Sequence, residues 1–237
     1  MAKKTNKSKN YQAALEKVPA EAVSPLAAFK LLKEFPTGNF DQTVEAHIRL
    51  GVDTRKADQQ LRGTISLPNG SGKTVRVAVF AEGEAAKAAQ EAGAEIVGSD
   101  DLVQDIQSGK IDFDAAVATP DQMAKVGKLG KILGPRGLMP NPKLGTVTPN
   151  VAKAVNELKG GKVEYRADRF GICHVTIGKM SFGAEQLAEN YGALYDEILR
   201  VRPASAKGKY VKSISIAATM TPGIKIDSSV HRNYLEE

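Results

Sequence analysis

The sequence predicts a mixed α/β protein of two domains, one assembled from both ends of the chain and the other inserted between them. Three observations carry that prediction. Segments near residues 43–67 and again near 162–217 alternate apolar and polar side chains with period two, as strands with one wet face do. The runs between them are short, mostly apolar and separated by helical segments, the pattern of a small parallel sheet covered on both faces. Glycine-rich crossings, Pro68-Asn69-Gly70-Ser71-Gly72 and Gly160-Gly161, stand where the pattern changes. The borders therefore divide the chain into 1–68 with 160–237, and 69–159. Two adjacent glycine crossings predict a hinge, because glycine tolerates large dihedral changes.

The elements follow in order. Met1 to Asn10 holds Lys3, Lys4, Lys7 and Lys9 and has no apolar stretch, so it predicts a basic arm, either a solvated tail or an RNA contact. The arm also lacks arginine, which argues against a targeting peptide. Ser24-Pro25 is an N-cap followed by an N1 proline, opening a helix with Leu26, Phe29, Leu32 and Phe35 on its apolar side. In the first strand Val44, Ala46, Ile48 and Leu50 alternate with Thr43, Glu45, His47 and Arg49. A second strand is expected over Leu61 to Leu67. Val75 to Ala81, Glu95 to Val97 and Ala115 to Thr119 are the buried parallel strands, and Ser99 is expected to cap a helix carrying Leu102, Val103 and Ile106. Alternation returns over Lys162 to Arg166, Ile172 to Ile177 and Tyr210 to Ala217. Leu187, Tyr191, Leu194 and Ile198 fall at i, i+4, i+7 and i+11 and line one buried helix face.

Composition narrows the function classes. A net charge of +6 and a pI near 9.2 favour a polyanionic partner, though mildly. The single cysteine, Cys173, excludes an intramolecular disulfide framework, and its alternation with Val175 and Ile177 makes it a packed thiol. No segment has the length and apolarity of a membrane span. His47, His174 and His231 are scattered and no carboxylate pair stands out, so neither a metal centre, nor a bound cofactor, nor catalysis is expected. Asn69-Gly70-Ser71-Gly72-Lys73-Thr74 ends like a phosphate-binding loop, but Leu67 occupies the place of the first glycine. A strand, rather than a helix, follows it. A turn between strands is the better account.

The richest segment is Lys128 to Thr146, KLGKILGPRGLMPNPKLGT. No acid occurs between Asp121 and Glu157, while Lys125, Lys128, Lys131, Arg136, Lys143 and Lys153 do. Such a segment suits an anion, foremost a nucleic acid backbone. In the outer domain three turns are candidates for reading RNA: Gly38-Asn39-Phe40-Asp41, Asp168-Arg169-Phe170-Gly171 and Thr219-Met220-Thr221-Pro222-Gly223. Hydroxyls, a flat ring and exposed backbone can read 2′-OH groups and RNA shape, while long basic chains supply attraction. Each turn by itself reads more readily as a plain connection than as a site.

GKLGKILGPRGLMPNPKLGTVT, FDQTVEAHIRLGVD, RGTISLPNGSGK and ATMTPG together resemble, in the same order, segments of the bacterial-type ribosomal protein L-one family. The resemblance runs from Tyr11 to Asp227. It implies a split β-α-β domain built from both termini and an inserted Rossmann-like three-layer α/β domain. It also implies a cytoplasmic, ribosome-bound protein, bacterial or organellar, that binds large-subunit rRNA in the mobile stalk beside the tRNA exit site. Partners so implied are the ribosome, its rRNA, exit-site tRNA and the protein's own operon mRNA, which such proteins repress; the free protein is expected to be a monomer away from membranes. Residues implied to contact RNA are Phe40, Thr43, Glu45, Asp168, His174, Ser213, Thr219 and Met220, with Lys131, Arg136 and Lys143 as secondary candidates. Asn39 stands where many relatives have lysine, and Thr221 where the family turn usually has glycine. The latter predicts either strain at Thr221 or a bend moved to Gly223. The rival from another class is a nucleotide- or cofactor-binding enzyme, with its site at the carboxyl ends of the Val75 and Ala115 strands.

Overall fold

The computed structural model describes residues 9–35, 39–230 and 234–235, apart from the side chains of Ala57 and Lys143. Lys3, Lys4, Lys7, Gly38 and His231 lie outside the described residues, as does the Lys143 side chain. The chain opens with α1 (Lys9–Lys17), α2 (Pro25–Lys33), β1 (Thr43–Leu50) and β2 (Arg62–Ser66). It continues through β3 (Val77–Phe80), α3 (Glu84–Glu91), β4 (Ile96–Gly98), α4 (Asp100–Gln107), β5 (Ala115–Ala118), the one-turn helices α5 (Met123–Val126) and α6 (Gly130–Leu133), and α7 (Val151–Lys159). It closes with β6 (Lys162–Arg166), β7 (Ile172–Lys179), α8 (Ala184–Arg200), β8 (Val211–Ala218) and β9 (Ile224–Ile226). Lys9 is thus the first residue of a helix. The described residues group into two compact units: those up to Gly72 with those from Val163 onward, and Lys73–Lys162.

In the first unit a four-stranded sheet runs in the order β7-β1-β8-β9. β1 is antiparallel to both β7 and β8. Those two strands are therefore parallel to each other and joined by α8, with β1 threaded between them. One face is covered by α2 and α8. Val44, Ala46, Ile48, Cys173, Val175, Ile177, Ile214 and Ile216 meet Phe29, Leu32, Leu187, Tyr191, Leu194 and Ile198 there, all buried. Alternation dictates this: once every second β1 residue enters the core, Thr43, Glu45, His47 and Arg49 must face away from it. Ser24 caps α2 as its sequence predicts, its hydroxyl accepting from Ala27 N–H at 3.4 Å. The Asn69 turn is tied to α8: Asn69 N–H donates to Asn190 Oδ1 at 2.9 Å, and Asn190 Nδ2 donates to the Gly70 carbonyl at 2.9 Å. Gly70 and Gly72 take positive φ of 70° and 69° in that turn, which then leads into β3 rather than into a helix.

The second unit holds a parallel sheet in the order β4-β3-β5. Its two faces have separate cores, and successive β3 residues alternate between them. Ala78 and Phe80 join Ala116, Leu102, Ile106, Val126, Leu129 and Leu133 on one side. Val77 and Val79 join Val117, Ala89, Val151 and Val155 on the other. This is the three-layer arrangement that near-continuous apolar strands require. Two expectations are corrected locally. β4 begins at Ile96 rather than Glu95, whose carboxylate instead accepts from Val77 N–H at 2.8 Å. Ser99 occupies the N-cap position of α4 but makes no capping bond; its hydroxyl donates to Gln122 Oε1 at 2.8 Å and accepts from Lys125 Nζ at 2.9 Å.

Candidate RNA interface

The uncovered face of the four-stranded sheet carries the polar half of each strand. Cross-strand register sets its rows. Glu45 lies between Thr176 and Ala217, His47 between His174 and Ser215, and Arg49 between Ile172 and Ser213. Lys225 of β9 extends the His47 row beyond Ser215. Hydroxyls, two imidazoles and charges of both signs thus share one open surface.

At the end where β1 begins, Phe40, Thr43, Thr219 and Met220 come together. Thr219 Oγ1 accepts from Thr43 N–H at 3.2 Å and donates to the Thr43 carbonyl at 3.4 Å, tying the exit of β8 to the entry of β1. Lys179 Nζ donates to Thr43 Oγ1 at 2.8 Å. Phe40 and Met220 are 53% and 61% exposed, apolar groups with no core to enter. Gln42 beneath them is fully buried; its Oε1 accepts from Met220 N–H at 2.9 Å and so fixes the turn. Asp41 accepts from Ser181 N–H and Oγ at 3.0 and 2.8 Å, fastening the loop that bears Phe40. The turn is fastened through Thr221 itself. Its hydroxyl accepts from Ala218 N–H at 2.8 Å and its own N–H donates to the Ala218 carbonyl at 3.1 Å, while Gly223 does not enter left-handed backbone.

Asp168 stands at the opposite end. Its Oδ1 accepts from the N–H groups of Phe170 and Ile172, both at 2.8 Å, so the turn is rigid and Phe170 projects at 72% exposure. The Ile172 N–H above all holds the Asp168 carboxyl below the usual carboxylate range, although partial burial opposes it. The predicted contacts therefore form two clusters joined by a middle band. Phe40, Thr43, Thr219 and Met220 lie at one end, Asp168 and Ser213 toward the other, and Glu45 and His174 between. Eight residues of β1 separate the ends by roughly 20–25 Å. The exposed Phe170 entered the sequence reading only as part of its turn, and His47 in the middle escaped it as a site. The signal for His47 was present in its alternation with Thr43, Glu45 and Arg49, but its partner could be known only from the β1–β7 register.

In the second unit Lys128, Lys131 and Arg136 are exposed, while Leu129, Leu133 and Leu144 are buried beneath them. Gly137 and Gly145 take φ of 72° and 73°, so these glycines shape the turns on which the basic residues stand. Beyond the carboxyl ends of β3 and β4 stands a largely exposed ion cluster. Lys125 Nζ lies 3.0 Å from Glu82, 2.9 Å from the Ser99 hydroxyl and 2.8 Å from Asp100. The Ser99 hydroxyl, then Lys125, hold the Glu82 carboxyl down at about 2. Among the described residues no group of three or more His, Cys, Asp or Glu is placed to hold a metal, and no helix is long and apolar enough to cross a membrane.

A discontinuous α/β unit with an open polar sheet face, joined to an α/β unit with an exposed basic loop, defines a class of protein suited to a structured polyanion. Comparison with known proteins makes the class specific. The model of the ribosomal protein L1p/L10e family matches residues 32–222. The chain is 60% identical over 230 residues to the large ribosomal subunit protein uL1 of Mycobacteroides abscessus, covering 97% of this chain and 98% of that protein. It is 58% identical over 231 residues to the protein of that name from Corynebacterium glutamicum (97% and 98%), and 59% identical over 233 residues to the one from Corynebacterium aurimucosum (98% and 100%). The chain belongs to the ribosomal protein L1p/L10e family, a family of ribosomal proteins and not of enzymes.

Proposed function

We propose that the chain is a constituent of the large ribosomal subunit that holds ribosomal RNA on the open sheet face of its first unit. Its place of action is the ribosome in the cytoplasm. The observation that carries the reading is the pair of exposed apolar side chains, Phe40 on the loop fastened through Asp41 and Met220 on the turn fixed by buried Gln42, on either side of the Thr43–Thr219 contact. A preformed surface of this kind reads RNA shape with little ordering cost. The discontinuous unit supplies the main contact, through Phe40, Thr43, Glu45, Asp168, His174, Ser213, Thr219 and Met220. The inserted unit supplies a secondary one through Lys131, Arg136 and Lys143. The finer role is the mobile stalk beside the tRNA exit site, where the protein meets departing tRNA. A further role, as a monomer away from the ribosome, is repression of its own operon mRNA through a leader that imitates the ribosomal RNA site. The test is affinity for a stalk fragment of large-subunit ribosomal RNA in the doubly substituted Phe40→Ala, Met220→Ala protein. A drop of tenfold or more with an unchanged melting temperature supports the reading, and undiminished affinity places the site elsewhere.

A further inference from the structure

His47 is absent from the RNA contacts that family resemblance implies, yet it sits at the centre of the open face. Its Nδ1 lies 2.9 Å from Nδ1 of His174, directly across the β1–β7 ladder. The ring centroids are 5.0 Å apart and the planes meet at 63°. At this distance one Nδ1 must carry hydrogen and the other must offer a lone pair, since two N–H groups or two lone pairs would repel. The far nitrogens both face carboxylates. His47 Nε2 is 4.0 Å from Glu45 Oε2, and His174 Nε2 is 3.7 Å from Asp168 Oδ2. Ionised carboxylates only accept, so both Nε2 atoms are best matched when they carry hydrogen. Two Nε2 hydrogens and one between the Nδ1 atoms make three for two rings: one imidazolium beside one neutral imidazole.

The rings are not equivalent. The His47 side chain is 28% exposed and that of His174 is 51%. Burial, and then the charge of His174, lower the pKa of His47 against the opposing pull of Glu45. The neutral ring is therefore His47, and the charge faces solvent on His174. We propose that His47 is a positioning residue for RNA binding: it accepts the Nδ1 hydrogen of His174, orients that charged ring toward the RNA backbone, and links RNA affinity to one shared proton. The proposal rests on the reading of this face as the RNA surface.

The charged groups around the pair fit a single proton. Glu45 from β1 and Asp168 from the turn favour the first. Arg49, two positions along β1 on the same face, Arg169 on the turn and Lys225 of β9, in the His47 row, disfavour a second. Raising the pH removes the positive charge from a surface that meets phosphates, so affinity falls as pH rises.

The experiment measures affinity of the full chain for a large-subunit ribosomal RNA stalk fragment from pH 5.5 to 8.5 at fixed salt. Nitrogen-edited NMR of the imidazoles in the free protein runs beside it. The expected result is a fall of about two- to fivefold through one transition, the size of one exposed charge contact, with hydrogen on His174 Nδ1 and a lone pair on His47 Nδ1. His47→Ala removes the acceptor and moves the midpoint down. His47→Gln, whose Oε1 can accept the same hydrogen, restores it, and His231→Gln leaves it unmoved. An equal loss at every pH in His47→Ala, with an unmoved midpoint, reduces His47 to a structural contact and overturns the proposal. Two rings that titrate independently in the NMR overturn it as well. Failure of the unsubstituted protein to prefer the stalk fragment at any pH would instead overturn the RNA reading itself.

Discussion

Replacing Thr219 by valine separates recognition from stability more cleanly than any other single change at this surface. Valine keeps the volume and the β-branch, so the strand conformation of β8 is undisturbed, but it removes the hydroxyl that bonds both the N–H and the carbonyl of Thr43 at 3.2 and 3.4 Å. Both bonds are long and lie at an exposed edge where water can replace them. Their combined net worth is therefore near the low end of the neutral range, about 1 kcal/mol. For a unit of this size that lowers the melting temperature by about 2–4 °C. A hydroxyl that also meets an RNA 2′-OH or phosphate is replaced at the interface by a methyl group, which leaves the RNA partner unpaired. That costs about 1–3 kcal/mol, or roughly 5- to 150-fold in affinity. Thermal unfolding of the free protein and equilibrium binding to a stalk RNA fragment at one salt concentration read the two effects separately. A binding loss no larger than the stability loss would refute the reasoning, because it would reduce the hydroxyl to a strand fastener.

Three further predictions follow from the first unit. Burial pushes the Cys173 thiol up to about 12, so it should resist alkylation in the native protein at pH 8 and react only as the protein unfolds; rapid native labelling would contradict its packing. Asp168 has its folded-state pKa depressed below 3.8, so its stabilising effect is fully present above that value and is lost as pH falls through the lower folded-state value. The melting-temperature advantage of the unsubstituted protein over Asp168→Asn should shrink between pH 5 and pH 2, and a gap independent of pH would show that the charge is irrelevant. Gly63→Ala would set a methyl carbon 2.5 Å from the buried Tyr165 hydroxyl. We expect a destabilisation of about 1–3 kcal/mol in denaturant unfolding, and an unchanged midpoint would mean that Tyr165 yields easily.

Local pattern carried the fold a long way. The alternation of Val44, Ala46, Ile48 and Leu50 with Thr43, Glu45, His47 and Arg49 identified both the strand and its wet face. The spacing of Leu187, Tyr191, Leu194 and Ile198 identified the helix that covers the other face. What escaped was decided by partners distant in sequence. Nothing local distinguishes Ser99 as a helix cap from Ser99 as a partner of Gln122 and Lys125. At the start of β4, Glu95 bonds Val77 through both its own N–H and its carboxylate, the latter standing in for a backbone carbonyl and also meeting Lys159. The turn at Thr221 is solved by a side-chain hydroxyl, where family likeness suggested a backbone bend. For the interface, the residue types were legible but not their arrangement. That Thr219 sits beside Thr43 and Asp168 a strand's length away is a consequence of register, which is set by the whole core.

The central claim is that the open sheet face selects a particular RNA rather than attracting any polyanion. The most direct measurement is a competition at fixed moderate salt among a large-subunit ribosomal RNA stalk fragment, the protein's own messenger leader and an unrelated hairpin of equal length. The account predicts that the stalk fragment binds most tightly and the leader next, with the hairpin weaker by a hundredfold or more. Equal binding to all three would contradict it, leaving only the attraction of a chain with a net charge of +6.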